Sequence, residues 1–101
     1  MITSFGDKST QKIWQGDRVV SYSTELQETA RRKLRMLNNS HDLNDLMVPP
    51  SNRLEKLKGN WKEYYSIRVN GQWRILFRWN NGNADEVRLI DYHSIGQDEK
   101  N

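Results

Sequence analysis

Two periodicities divide the chain, and a pair of prolines, Pro49-Pro50, separates them. Before the prolines apolar residues recur at helical spacing; after them they alternate. The clearest helical signal covers residues 25–38. Leu26, Ala30, Leu34 and Leu37 form one stripe, and Arg31, Arg32 and Arg35 lie on the other face. Thr24 followed by Gln27 reads as a capping box at its start, and Asn38-Asn39 stops it. A shorter helix is expected over residues 9–15, with Ile13 and Trp14 inward and Gly16-Asp17 at its end. Another turn beginning at Asp42 would direct Leu43, Leu46 and Met47 inward, and residues 1–5 alternate as a short strand does.

Beyond the prolines a short strand is expected over residues 53–57. Three longer stripes follow: Tyr65, Ile67 and Val69; Trp73, Ile75, Phe77 and Trp79; Val87 and Leu89. Asn70-Gly71 and residues 80–83 are the turns between them, so the pattern is an antiparallel meander. A two-residue loop at Asn70-Gly71 would send the first two stripes to opposite faces. A three-residue loop with Gly71 left-handed, placing Ile67 opposite Trp73 and Tyr65 opposite Ile75, puts both on one face. Tyr64, Ser66, Arg68, Arg74, Leu76 and Arg78 would then look outward, with Arg88 on the next strand.

Composition sharpens this picture in three ways. A length of 101 residues fits one domain with a small core, and ten aromatic residues help to close it. The absence of cysteine excludes a disulfide framework, a cysteine-ligated zinc site and a thiol nucleophile, and the two histidines, His41 and His93, make no metal-ligand cluster with their neighbours. No signal peptide or membrane-length apolar run is visible, so a soluble cytoplasmic domain is expected. The net charge is only +3, but it is unevenly spread. Between Arg53 and Arg78 seven basic residues face two acidic ones and mix with Trp61, Tyr64, Tyr65, Trp73 and Phe77. Arginine forks match phosphate oxygens and aromatic rings stack on bases, so an outward face of this kind favours nucleic acid as partner.

The stretch L-x-x-L-K-G at residues 54–59, Y-S-I-R-V-N-G-Q-W-R-I at residues 65–75 and D-Y-H at residues 91–93 occur in order, after M-I-T-S-F at the start and D-L-x-x-P-P before the strands. This ordered set resembles the HigB-type toxins of the RelE/ParE superfamily (the plasmid maintenance system killer family), over residues 1–93. The resemblance implies an α+β, RelE-like (microbial-RNase-like) fold, a curved antiparallel sheet packed against N-terminal helices, in a single domain followed by a polar tail over residues 94–101. It implies a type II toxin that cuts mRNA in the ribosomal A site, a metal-independent endoribonuclease without cofactor. The implied partners are the ribosome with its A-site mRNA and a HigA-type helix-turn-helix antitoxin, through which alone the toxin meets operator DNA.

Position by position, Lys58 matches the lysine of L-K-G, Arg74 the arginine of Q-W-R, and Asp91, Tyr92 and His93 the closing triplet. Glu55 stands where some relatives have histidine, and Asn60 where aspartate is common. On this reading His93 is the general acid. Arg74 and Lys58 stabilise the phosphoryl charge, and Asp91 is either the base or an orienting group. Tyr92 stacks on or positions the nucleotide, Arg68 and Arg78 contact substrate, and Glu55 either replaces the histidine as base or contributes little. Trp14, Trp73 and Phe77 read as core and His41 as solvated. The competing readings are a non-catalytic nucleic-acid-binding module and an inhibitor that occupies the A site without cutting. The arginines of residues 25–38 suggest a contact with rRNA phosphates.

Overall fold

The helical half of the chain is shaped by its caps. In the computed structural model, which describes residues 1–95, helix α1 (Lys8–Gln15) starts where the Asp7 carboxylate accepts from Thr10 N at 2.8 Å, and it stops at a left-handed Gly16. Helix α2 (Thr24–Asn39) is capped by Ser23, whose Oγ accepts from Leu26 N at 3.1 Å. The expected box of Thr24 with Gln27 does not form, because Gln27 lies buried under the preceding loop. Its side chain accepts from Val19 N at 2.9 Å and donates to Val19 O at 2.8 Å and Tyr22 O at 2.9 Å. The stripe Leu26, Ala30, Leu34 and Leu37 is buried as its spacing requires.

The turn after Asp42 is a 3-10 helix, Leu43–Met47, with a capping box between Asp42 and Asp45. Three residues per turn place Leu43 and Leu46 on one side and leave Met47 on another. Leu46 is fully buried, whereas Met47 is 56% exposed, contrary to the inward position expected of it. A second 3-10 turn, Pro50–Asn52, is pinned from inside by Asn52, which is fully buried. Asn52 accepts from Lys33 Nζ of α2 at 2.6 Å and donates to Leu46 O at 3.1 Å.

The sheet runs in chain order, all antiparallel: β1 (Glu55–Lys56), β2 (Tyr65–Arg68), β3 (Trp73–Asn80) and β4 (Asn83–Asp91). Residues 1–6 lie alongside β4 in parallel, bridging at Ile2–Ala84 and Phe5–Val87 without forming a continuous strand. Further along β4, the buried Leu89 N donates to Thr10 Oγ1 of α1 at 2.8 Å, so a side chain stands in for a strand.

Both hairpin stripes share a face, as parity predicts, but the register differs by two residues. Ile67 opposes Ile75 and Tyr65 opposes Phe77, leaving residues 70–72 as the loop. Gly71 is not left-handed. The loop is held instead by Asn70 Oδ1, which accepts from Gln72 N at 2.8 Å and Trp73 N at 2.9 Å. The β3–β4 hairpin turns through Asn81 and Gly82, at φ 50° and 80°, as a tight turn matched to strand twist demands. A bulge at Glu86 (φ 53°) lets Ala84 and Val87, three residues apart, both enter the core.

Ile67, Ile75, Phe77, Val87 and Leu89 pack against Ile13 and the α2 stripe, and Trp14 and Trp73 lie half-buried at its margin. The opposite face is less open than its sequence suggests. Ser66 and Leu76 are fully buried and Arg74 is 8% exposed, because the Arg74 side chain lies across Ser66 towards β1. Leu57 is buried as well, and neither it nor Leu76 belongs to the helix-side core. This second face is a partly filled hollow, not a flat cationic plane. Among the described residues no helix is long and apolar enough to cross a membrane. Of the expected tail, Ser94 and Ile95 complete a 3-10 turn, Tyr92–Ile95, and residues 96–101 lie outside the described residues.

Candidate functional site

Register places the site. Glu55 pairs with Ser66, so the two share the hollow face; Arg74 sits two residues before Leu76, which pairs with Ser66. Alternation therefore aims Glu55 and Arg74 at the same side of the sheet. The end of β4 brings Tyr92 over them, its backbone N–H donating to Gln72 O at 2.8 Å.

Arg74 is the centre of this cluster. Its Nε donates to Ser66 Oγ at 2.8 Å, and its Nη2 donates to Ser66 O at 3.4 Å and to the carbonyl of Arg53. Arg53 holds a left-handed conformation at φ 46°, costly for a residue with a side chain and located where it delivers that carbonyl. Glu55 Oε1 lies 3.7 Å from Arg74 Nη2. Burial pushes the guanidinium below its ordinary value and Glu55 opposes that shift; an arginine in either case stays charged. Among the described residues the Nη1 group has no hydrogen-bond acceptor, so it is the part of the fork open to a ligand. Tyr92 closes the cluster: its ring lies 5.1 Å from Arg74 Cζ, and its hydroxyl donates to Glu55 Oε1 and Oε2 at 3.0 and 3.1 Å.

Asp91 and His93 flank the cluster at the strand end. Asp91 Oδ2 accepts from Gln72 Nε2 at 2.8 Å and Oδ1 accepts from His93 N at 3.0 Å. These bonds, the Gln72 side chain first, hold the Asp91 carboxyl below its ordinary value. His93 is the most exposed group of the site, 78% accessible, with Nδ1 3.6 Å from Asp91 Oδ1.

The remaining expected residues do not join by contact. Lys58 is exposed at the start of the 3-10 turn Gly59–Trp61, and its ammonium has no hydrogen bond or ion pair among the described residues. Arg68 opposes Arg74 across the β2–β3 pair. Arg78 is tied to Asp85, Nε donating to Oδ1 at 3.0 Å, which keeps it firmly charged and partly neutralised. Arg31 Nε is committed to Ile13 O at 2.8 Å, so this arginine of α2 holds the two helices together. Three participants escaped the sequence reading: Ser66 and the Arg53 carbonyl, which hold Arg74, and Gln72, which orients Asp91. Ser66 and Gln72 lie inside the motif over residues 65–75, and that is the signal that points to them. Among the described residues no three His, Cys, Asp or Glu side chains gather as a metal site.

Solved structures confirm the fold. A YafQ mutant from E. coli superposes with a TM-score of 0.65 at 19% identity, covering 94% of this chain and 96% of that one. A chain of an E. coli DinJ–YafQ complex superposes at 0.63 with 18% identity and the same coverage. Sequence relatives are closer. The chain is 39% identical over 87 residues to Toxin HigB-1 of Vibrio cholerae, covering 83% of this chain and 90% of the relative. It is also 44% identical over 41 residues to Endoribonuclease HigB of Proteus vulgaris, covering 41% of this chain and 45% of that protein. A family model for the RelE-like toxin of type II toxin-antitoxin system HigB matches residues 3–93. With that one pattern running through both helices, all four strands and the closing D-Y-H, the chain belongs to the HigB-like toxins.

Proposed function

We propose that this toxin is an endoribonuclease that cuts mRNA in the ribosomal A site, acting in the cytoplasm under the control of a HigA-type antitoxin. The observation that carries this reading is the convergence of Glu55, Arg74 and Tyr92 on one patch of the hollow face, with Asp91 and His93 at its rim. A base, a fixed cation, an aromatic platform and a solvent-facing imidazole are the groups that cleavage by the RNA's own 2'-hydroxyl requires.

The step divides among them as follows. Glu55 takes the 2'-hydroxyl proton, and that oxygen attacks the adjacent phosphorus. Arg74 Nη1 and Lys58 offset the charge that builds on the phosphoryl oxygens. His93 protonates the departing 5'-oxygen, giving a 2',3'-cyclic phosphate and a 5'-hydroxyl. Asp91 has both oxygens engaged by Gln72 and His93 at the strand end, and these bonds lower its proton affinity. Its part is to orient His93. Tyr92 fixes the rotamer of Glu55 and offers its ring to the nucleotide, while Arg68 and Arg78 meet the flanking backbone. The base, cation and acid all lie on one strand-built patch, but Lys58 and His93 are held loosely. A substrate placed by the ribosome supplies the alignment that such a site lacks by itself.

Primer extension on mRNA from translating ribosomes tests this, comparing wild type with His93→Ala and Arg74→Ala. Cuts in register with the A-site codon that vanish in both variants are the expected result. Halted translation with intact message would replace the nuclease with an A-site-occluding inhibitor.

A further inference from the structure

Four arginines of the hollow face descend from the strands, Arg68, Arg74, Arg78 and Arg88, and the protein neutralises them unequally. Arg74 is held by Ser66, the Arg53 carbonyl and Glu55, and Arg78 by Asp85 at 3.0 Å. Arg88 has only Glu86 Oε1, at 3.5 Å. Its Nε is buried with no hydrogen-bond partner, the one such side-chain atom among the described residues. A buried donor left unpaired is expensive, and folded proteins keep few of them.

What places Arg88 is shape. Its guanidinium rests against the backbone of Gly6: a β-carbon there would sit 2.4 Å from Nε, 2.6 Å from Nη2 and 2.7 Å from Cζ. Its Cζ lies 6.0 Å from the centre of the Tyr64 ring. Gly6 in turn is fixed to β4, its N–H donating to Val87 O at 2.7 Å. Arg88 pairs with Leu76, so it is the diagonal neighbour of Arg74 on the same face, with Cα atoms roughly 7–8 Å apart. That separation is on the order of one nucleotide step along a single strand.

We infer that Arg88 is a second phosphate-binding residue, which receives the backbone phosphate next to the scissile one, with Tyr64 beside it as a stacking surface for the attached base. The inference rests on the reading of the chain as a ribonuclease. The bound anion would supply the charge that the protein withholds from this guanidinium, and its oxygens would meet the Nη groups.

The test uses ribosomes programmed with mRNA carrying a 2'-deoxy nucleotide at the scissile position, so that binding is read without cleavage. Each flanking phosphate is replaced in turn by a neutral methylphosphonate. Wild type is expected to lose about tenfold in affinity at one flanking phosphate. Arg88→Gln should bind the natural mRNA about tenfold more weakly and be indifferent to that replacement. Gly6→Ala keeps the charge but displaces the guanidinium, and should lose the same coupling. Thermal melts establish that both variants are folded, and Arg88→Lys, charged but without the fork, stands in if Arg88→Gln is not. An identical methylphosphonate profile in wild type and variants overturns the inference while leaving cleavage untouched. Absence of cleavage by wild type on ordinary mRNA instead overturns the functional reading.

Discussion

The phenolic hydroxyl of Tyr92 donates to both carboxylate oxygens of Glu55, at 3.0 and 3.1 Å, across 37 positions of sequence. Glu55 is therefore built into the cluster, held on one side by Tyr92 and on another by Arg74. If Glu55 is the base, Glu55→Gln keeps the hydrogen-bonding shape and removes the proton acceptor. Cleavage on programmed ribosomes should fall by about a hundredfold or more, with the melting temperature little changed. Cleavage within a few-fold of wild type would assign the base elsewhere.

Ser66 has no role in chemistry, yet its removal should be felt. Ser66→Ala deletes the acceptor of a nearly buried guanidinium N–H, at a cost of about 1–3 kcal/mol. Urea unfolding measures the loss, and the cleavage rate should drop with it because Arg74 is no longer aimed. Arg74→Lys fails differently: one ammonium cannot serve Ser66 and the Arg53 carbonyl in the planar way of the fork.

Thr10 closes the ladder on the free side of β4. Thr10→Val keeps the shape but leaves Leu89 N buried and unpaired, for a loss of about 1–3 kcal/mol. Thr10→Ser should recover most of it. Faster exchange of the Leu89 amide in the valine variant is the direct signature, and unchanged exchange would refute this account of the edge.

Asp91 gives a pH dependence with a definite sign. Its folded-state value is below the ordinary 3.8, so the stabilisation it lends is present above that pH and is lost as pH falls through the folded value. Gln72→Ala removes the largest cause. A carboxyl NMR titration should show the Asp91 midpoint rising towards 3.8 in the variant. The stability gap between wild type and variant, clear at neutral pH, should narrow below it. An unmoved midpoint would mean that Gln72 is a bystander.

The start of α2 separates two neighbouring hydroxyls. Ser23→Ala should destabilise by about 1 kcal/mol, and Thr24→Ala should cost less, because only Ser23 caps Leu26 N. Chemical denaturation of the pair decides between them.

These cases show what a linear pattern carries. The α2 stripe and the three long strands were legible because burial on one face imposes a period, and Leu26 through Leu37 and Tyr65 through Trp79 keep it. Parity put Tyr65, Ile67, Trp73 and Ile75 on one side, but sliding one strand by two residues preserves every face, so parity is blind to the register actually adopted. The bulge at Glu86 is hidden for the opposite reason: Ala84 and Val87 obey no simple period. The burial of Ser66, Arg74 and Leu76 depends on β1, two residues long and too short to alternate visibly. Of the candidate site, the motif picked out Lys58, Arg74, Asp91, Tyr92 and His93; the fold gathers all of these but Lys58, and the motif could not reveal that Glu55 and Tyr92 touch, or that Gln72 and Ser66 hold their neighbours. Those are facts of three dimensions between residues whose spacing in the chain has no period.

Strand β4 pairs with β3 on one side and receives residues 1–6 and Thr10 on the other, so those residues must wait for a strand far along the chain; Thr10 and Leu89 are 79 positions apart. Contacts of such long sequence separation form late in folding. During synthesis a nascent chain would carry α2 and the β2–β3 hairpin with neither a closed core nor Tyr92, Asp91 and His93 in place. The cluster of Glu55, Arg74 and Tyr92 then assembles in one step, once β4 has paired, together with the core that supports it.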